Sequence, residues 1–139
     1  MNNIPFPQAD DLDKVILFVN KIFQGNTRTE IMITLSITSR QIDYYGNAAV
    51  FLNLLEREKK QFFINSQGIL FCESNKISQK NKMISILSKH QIFSKFIKDE
   101  DNIYIILKDE YLATFSDATI KRRAQTIYSW VKWFKKHNI

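Results

Sequence analysis

Apolar residues recur every three or four positions over Leu12, Val15, Ile16, Val19, Ile22 and Phe23, the period of a helix buried along one face. Asp10 and Asp11 stand just before it, where a helix N-terminus favours acids. Pro5 and Pro7 block any earlier helix, so residues 1–9 read as an irregular lead-in. Gly25-Asn26 stops the first helix. Thr27 or Thr29 caps a second, running to about Leu35. Ser36-Ile37-Thr38 is then a tight turn, and Thr38 or Ser39 caps a third helix predicted from Ser39 to about Glu56. Its apolar stripe is Ile42, Tyr45, Ala49, Leu52 and Leu55.

After Glu58-Lys59-Lys60 the period changes. Gln61 to Ile64, Asn65 to Gly68 and Ile69 to Cys72 read as strand, turn and strand. Helix, helix, turn, helix, hairpin is the order of a winged helix-turn-helix. A second unit starts at Ser78. Met83 to Ile97 forms a long amphipathic helix with a break near His90-Gln91. Residues 103–113 suit either a buried strand or a short helix; the helix is taken. The last helix is capped by Ser116 or Asp117 and carries Ile120, Ala124, Ile127, Val131 and Phe134 at 4-3-4-3 spacing. The expected fold is mainly α with a small β-hairpin, a tandem winged helix-turn-helix whose second wing is reduced or absent. The expected organisation is a lead-in over 1–9, a first unit over 10–74 and a second unit over 75–139 packed on the first.

Two stretches of this pattern look familiar together. One is Ser39-Arg40-Gln41-Ile42-Asp43-Tyr44-Tyr45-Gly46-Asn47-Ala48-Ala49. The other runs from Thr119 through Lys121-Arg122-Arg123, Gln125, Thr126 and Ser129-Trp130 to Trp133. They resemble the tandem winged-helix module of type II restriction enzymes and related restriction-modification proteins. There, "RQxDYYxNA" and "TxxRRxxTxxSWxxW" helices close the first and second units. The resemblance covers roughly Asp10 to Phe134. It implies sequence-specific binding of double-stranded DNA beside a nuclease domain or subunit. This chain departs from the pattern in having no nuclease domain and no clear second wing.

Charge sharpens the picture. The net charge is +6 over 139 residues. Residues 1–70 are neutral, with seven basic and seven acidic residues, so residues 71–139 carry the whole excess. From Ser116 onward six basic residues face only Asp117. Such a basic end suits a polyanion, and equally a solvated lysine face.

A helix-turn-helix puts the first turns of its last helix into the major groove. In the first unit this singles out Ser39, Arg40, Gln41, Tyr44 and Asn47, since Arg reads guanine and Gln or Asn reads adenine with paired hydrogen bonds. In the second unit the contact candidates are Lys121, Arg122, Gln125 and Ser129, with Ser116 and Thr119 as phosphate donors at the helix N-terminus. Arg122, Gln125, Thr126 and Ser129 are expected on one face, opposite the apolar stripe. Arg123 borders that stripe, which suits an internal partner. Trp130 is expected in the core, and Trp133 against the first unit or a catalytic domain.

Enzyme signals are weak. His90 and His137 are the only histidines, without a nucleophile setting or an H-E-x-x-H pattern. Glu58 and Lys60 spell the tail of a metal-dependent nuclease motif, with Asp43 upstream, but such acids belong on adjoining strands around a magnesium ion. Scarce glycine (3) and the absence of any G-x-G-x-x-G or P-loop argue against nucleotide-binding folds. One cysteine, Cys72, allows no internal disulfide or Cys-based zinc site. No apolar run reaches membrane-span length and the N-terminus lacks signal-peptide character, so a cytoplasmic protein is expected. The expectation is a DNA-binding module with no catalytic residue, metal or cofactor of its own. A standalone transcriptional regulator and a winged-helix protein-interaction module are the alternatives.

Overall fold

The structure, a computed structural model, describes residues 6–111 and 114–138. The expected features that fall on residues 1–5, 112–113 and 139 lie outside the described residues. The fold is mainly helical with one antiparallel hairpin: α1 Leu12–Phe23, α2 Arg28–Leu35, α3 Ser39–Phe51, β1 Leu55–Glu58, β2 Gln61–Ile64, α4 Ser66–Cys72, α5 Lys76–Lys89, α6 Ser94–Lys98, a 3-10 turn Glu100–Asn102, α7 Ile103–Tyr111 and α8 Asp117–His137. Among the described residues no helix is long and apolar enough to cross a membrane.

The first three helices begin where capping side chains stand. Asp11 caps α1 by accepting from the Lys14 amide. Thr27 with Glu30 and Thr38 with Gln41 form reciprocal capping boxes on α2 and α3. All three helices stop the same way. The residues after them, Gly25, Ser36 and Asn53, adopt left-handed backbone with φ of 83°, 55° and 62°. In each case their own amide and the next one bond back into the last turn, as with Asn53 N to Val50 O (2.9 Å) and Leu54 N to Ala49 O (3.0 Å). Asn tolerates this conformation through local side-chain bonding.

That stop corrects the expected third helix, which ends at Phe51 and not near Glu56. The hairpin moves with it. β1 is Leu55–Glu58, where helix was expected, and it pairs with β2 in the register Leu55↔Ile64 to Glu58↔Gln61. Lys59-Lys60 make the two-residue turn, with Lys59 at φ 56°. The stretch expected as turn and second strand is instead α4. Asn65 Oδ1 accepts from the Gly68 amide at 2.8 Å, so this polar run caps a helix and does not reverse a hairpin. A Cβ on Gly68 would lie 2.2 Å from Leu54 O, which shows how closely α4 packs on the chain leaving α3. Gly46 plays the matching part for the hairpin, because a Cβ there would meet the Phe62 ring at 2.2 Å.

The two halves share one core. Phe6, in the lead-in, is buried among Phe51 of α3, Phe93 and Phe96 of the α5–α6 region, and Trp130 of α8. Asn20 of α1 and Gln79 of α5 exchange side-chain hydrogen bonds of 2.9 and 3.1 Å. The break in the long helix is organised by His90. Its Nδ1 accepts from the Ile92 and Phe93 amides, so its Nε2 carries the proton and donates to Phe51 O at 3.0 Å. The ring stacks on Phe51 with centroids 4.3 Å apart, and burial holds its pKa below the usual value.

Candidate nucleic-acid interface

Helix α3 buries Ile42, Tyr45, Ala48 and Ala49 and turns its first polar residues outward. Ser39, Arg40 and Gln41 are exposed, while Tyr44 and Asn47 are half-buried. Each has a defined partner. Arg40 Nε donates to Tyr44 Oη at 2.8 Å, which lays the guanidinium along the helix. Gln41 Oε1 accepts from the Thr38 amide at 2.9 Å, which leaves its amide hydrogens for an outside acceptor.

Two arginines missed by the sequence reading frame this face. From α2, Arg28 Nη2 donates to Ser39 O (2.9 Å) and Oγ (3.2 Å), and its Nη1 lies 3.5 Å from Asp43 Oδ1. From β1, Arg57 donates to Asn47 Oδ1 (2.7 Å) and Asp43 Oδ1 (3.3 Å), with its guanidinium over the Phe62 ring at 4.9 Å. Asp43 thus sits between two cations on the exposed side of α3. These pairs are more than a quarter exposed and add little stability, but they set where the arginines point. The hairpin turn carries Lys59 and Lys60 out beyond Arg57. Arg57 was hidden from a reading that placed residue 57 just past a helix end, since only the hairpin register brings it back over α3.

The second candidate face has a different use. Ser116 Oγ accepts from the Thr119 amide and donates to Thr119 Oγ1, so both residues belong to the cap of α8. Lys121 is exposed and pairs with Asp117 one turn earlier at 3.3 Å. Tyr104 bonds the same carboxylate, and that bond, with Lys121, holds the Asp117 pKa below its ordinary value.

Arg122 does not project freely into solvent. Its guanidinium donates to Asp10 Oδ1 (2.8 Å), Gln8 O (3.2 Å) and Thr126 Oγ1 (3.2 Å). Thr126 is fully buried and donates to Asp10 Oδ1. Arg123 Nη1 donates to Phe6 O and its guanidinium stacks over Phe115 at 4.7 Å. Trp130 Nε1 donates to Ala9 O at 2.7 Å, and Trp133 Nε1 to Asp13 Oδ1 at 3.1 Å.

The expected outward face of Arg122 and Thr126 is therefore corrected. The lead-in Phe6–Asp10 lies along the far side of α8, so this helix buries side chains on two sides. Gln125 remains exposed and Ser129 half-buried. Trp130 is core, and Trp133 packs on α1 through Asp13. Among the described residues no group of three or more His, Cys, Asp or Glu is placed to hold a metal ion. Glu58 ends β1 and Lys60 is in the turn, while Asp43 faces Arg28 and Arg57.

One family model, described as a domain of unknown function, DUF7226, matches residues 14–138. The chain belongs to the DUF7226 family. No curated protein and no solved structure gives a match to it. The DUF7226 match runs from the first turn of α1 to just past the end of α8, so both candidate faces lie within it. Of the strap that α8 holds, Phe6 to Asp10 lie before it.

Proposed function

We propose that this DUF7226 chain is a double-stranded DNA-binding module of winged helix-turn-helix type, with α3 as the recognition helix and the β1–β2 hairpin as the wing. The observation that carries the reading is the α3 face. Its outward first turns hold Arg40, Tyr44 and Asn47 between Arg28 on one side and Arg57 on the other. The hairpin extends Lys59 and Lys60 beyond this face. In this role Arg40 reads guanine, and the amide hydrogens of Gln41 and Asn47 meet base acceptors while their oxygens stay held by Thr38 and Arg57. Lys59 and Lys60 meet phosphate, as do Arg28 and Ser39 at the edge of the face. Lys121 and Gln125 on α8 form a secondary contact. The resemblance to restriction modules supports a recognition role beside a nuclease domain or subunit, with no cutting by these residues themselves.

The test is selection of bound sites from random duplex DNA, followed by anisotropy titrations at rising salt. Affinity should fall as salt rises, with a log–log slope reduced by up to about two in the Lys59→Ala/Lys60→Ala double variant. Arg40→Ala should relax preference at one defined position of the selected site, costing about 1–3 kcal/mol there. Binding that ignores salt, or no enriched site, would remove DNA as the partner and favour a protein-interaction module.

A further inference from the structure

Helices α4 and α5 leave an open groove of about 450 Å³ between them. Leu54 and Phe71 close its floor, and both are buried. What a partner can touch is the rim. Leu70 stands there 58% exposed, with Ile86 half-buried opposite it. Lys82 and Lys89 flank these two, and no acidic side chain among the described residues lines the groove. Lys82 Nζ donates to Leu70 O (3.1 Å) and Ser74 Oγ (2.8 Å), which fixes it at the rim with one hydrogen left for an outside acceptor. Lys89 is exposed, and its ammonium has no partner among the described residues. Lys82, Ile86 and Lys89 follow at 4-3 spacing, so the two cations stand about 10 Å apart along α5 with the apolar contact between them.

The opposite pattern lies on the outer side of α7 and the 3-10 turn before it. Asp101, Ile105 and Asp109 follow at 4-4 spacing, all exposed, with Ile105 at 55%. The two acids stand about 12 Å apart along the axis. Other acids of this stretch are occupied: Glu100 by Lys135, Glu110 by Lys95, and Asp99 Oδ1 by the Asn102 amide. The carboxylates of Asp101 and Asp109 have no partner among the described residues. Lys108 is turned aside over the Tyr104 ring at 5.7 Å.

We propose that the α4–α5 groove receives the Asp101–Ile105–Asp109 stripe of a second copy of this chain. Ile105 fills the gap between Leu70 and Ile86, and the two carboxylates meet Lys82 and Lys89. Side chains as long as lysine absorb the small difference in spacing. The net charge of +6 opposes self-association, but at an ionic strength of about 0.15 M it is screened beyond about 8 Å, and the contacting pairs lie inside that range. The contact joins two different surfaces and does not depend on DNA binding.

The test is sedimentation velocity on the full chain without DNA, from about 10 µM to about 1 mM, the range suited to a contact of small area. The average mass should rise with concentration. Lys89→Glu and Asp109→Lys, both exposed substitutions, should each weaken association about tenfold or more while leaving the thermal melt in place. An equimolar mixture of the two variants should associate again, because the intact stripe of the first meets the intact groove of the second. A chain that stays monomeric throughout, association untouched by either substitution, or a mixture no better than its components would each overturn the proposal.

Discussion

Arg122→Ala distinguishes two uses of the basic turn of α8. If that turn faces DNA, the substitution weakens binding and flattens its salt dependence. The structure instead has Arg122 holding the Phe6–Asp10 strap, so the loss should appear in stability. The substitution removes hydrogen bonds to Asp10, Gln8 and Thr126 of 2.8, 3.2 and 3.2 Å. The Arg122–Asp10 pair is 39% and 41% exposed, so as an ion pair it contributes only ~0–1 kcal/mol. The charge-assisted bond to Gln8 O adds ~1 kcal/mol at this exposure. Thr126 keeps Asp10 as its partner, so no buried hydroxyl is orphaned. The sum is about 1–2 kcal/mol. For a two-state chain of 139 residues that is a fall in melting temperature of about 3–7 °C. The assay pairs thermal and urea melts with anisotropy on the selected DNA. Arg40→Ala serves as the reciprocal variant: its exposed side chain should leave the melting temperature within about 2 °C while DNA affinity drops. An Arg122→Ala protein with an unchanged melt, weaker DNA binding and a flatter salt slope would refute the strap argument. It would return the first turns of α8 to the interface.

Other substitutions probe the core and the hairpin seat. Phe6→Ala empties a site enclosed by four aromatic rings and should cost about 3–5 kcal/mol in urea unfolding, whereas a loss under 1 kcal/mol would make the lead-in a dispensable tail. Gly46→Ala drives a methyl into the Phe62 ring and should destabilise by about 1–3 kcal/mol, with Phe62→Leu restoring part of the loss; additive effects of the two would mean that they do not meet. His90 has a lowered folded pKa, so below its unfolded pKa of about 6.5 the unfolded chain takes up a proton that the folded chain resists. Stability should therefore fall as pH drops from about 7 through 6.5 and level off below the folded pKa, and this dependence should be weaker in His90→Gln. Burial pushes the Cys72 thiol up to about 11, so it should react with a disulfide reagent at pH 8 far more slowly than a free thiol; reaction at the free-thiol rate would place it at the surface.

The elements most legible in the sequence were those written in local chemistry. The starts of α1, α2 and α3 follow from capping side chains a few residues away: Asp11, Thr27 with Glu30, and Thr38 with Gln41. The apolar stripe of α8 was equally clear, because a 21-residue helix shows its period many times over. The hairpin was less clear. Leu55–Glu58 has an apolar residue followed by three charges, which suits a helix end as well as an edge strand, and only Asn53 in left-handed backbone stops α3 early enough to free it. Asn65–Gly68 has turn composition, but the same residues supply a helix cap when a packing surface waits beyond. The polar face of α3 could be located from its stripe, yet Arg28 and Arg57 could not be joined to it, since they sit 15 residues before and 14 after Asp43.

Chain pattern by itself thus determined a mainly helical protein, the position of its first three helices and last helix, and the presence of one small hairpin. Tertiary structure decided where that hairpin lies, that Phe6 and Ala9 of the lead-in are core, and which arginines face outward. Helical period and capping depend on neighbours within about four positions, so they are written along the chain. A guanidinium has no such commitment. Its long stem reaches whatever acceptor the packing brings near, and for Arg122 that was Asp10 and Gln8, more than a hundred residues away. Charge in the sequence shows how many cations the protein has; which of them solvent or a partner can meet is settled only when every other element has found its place.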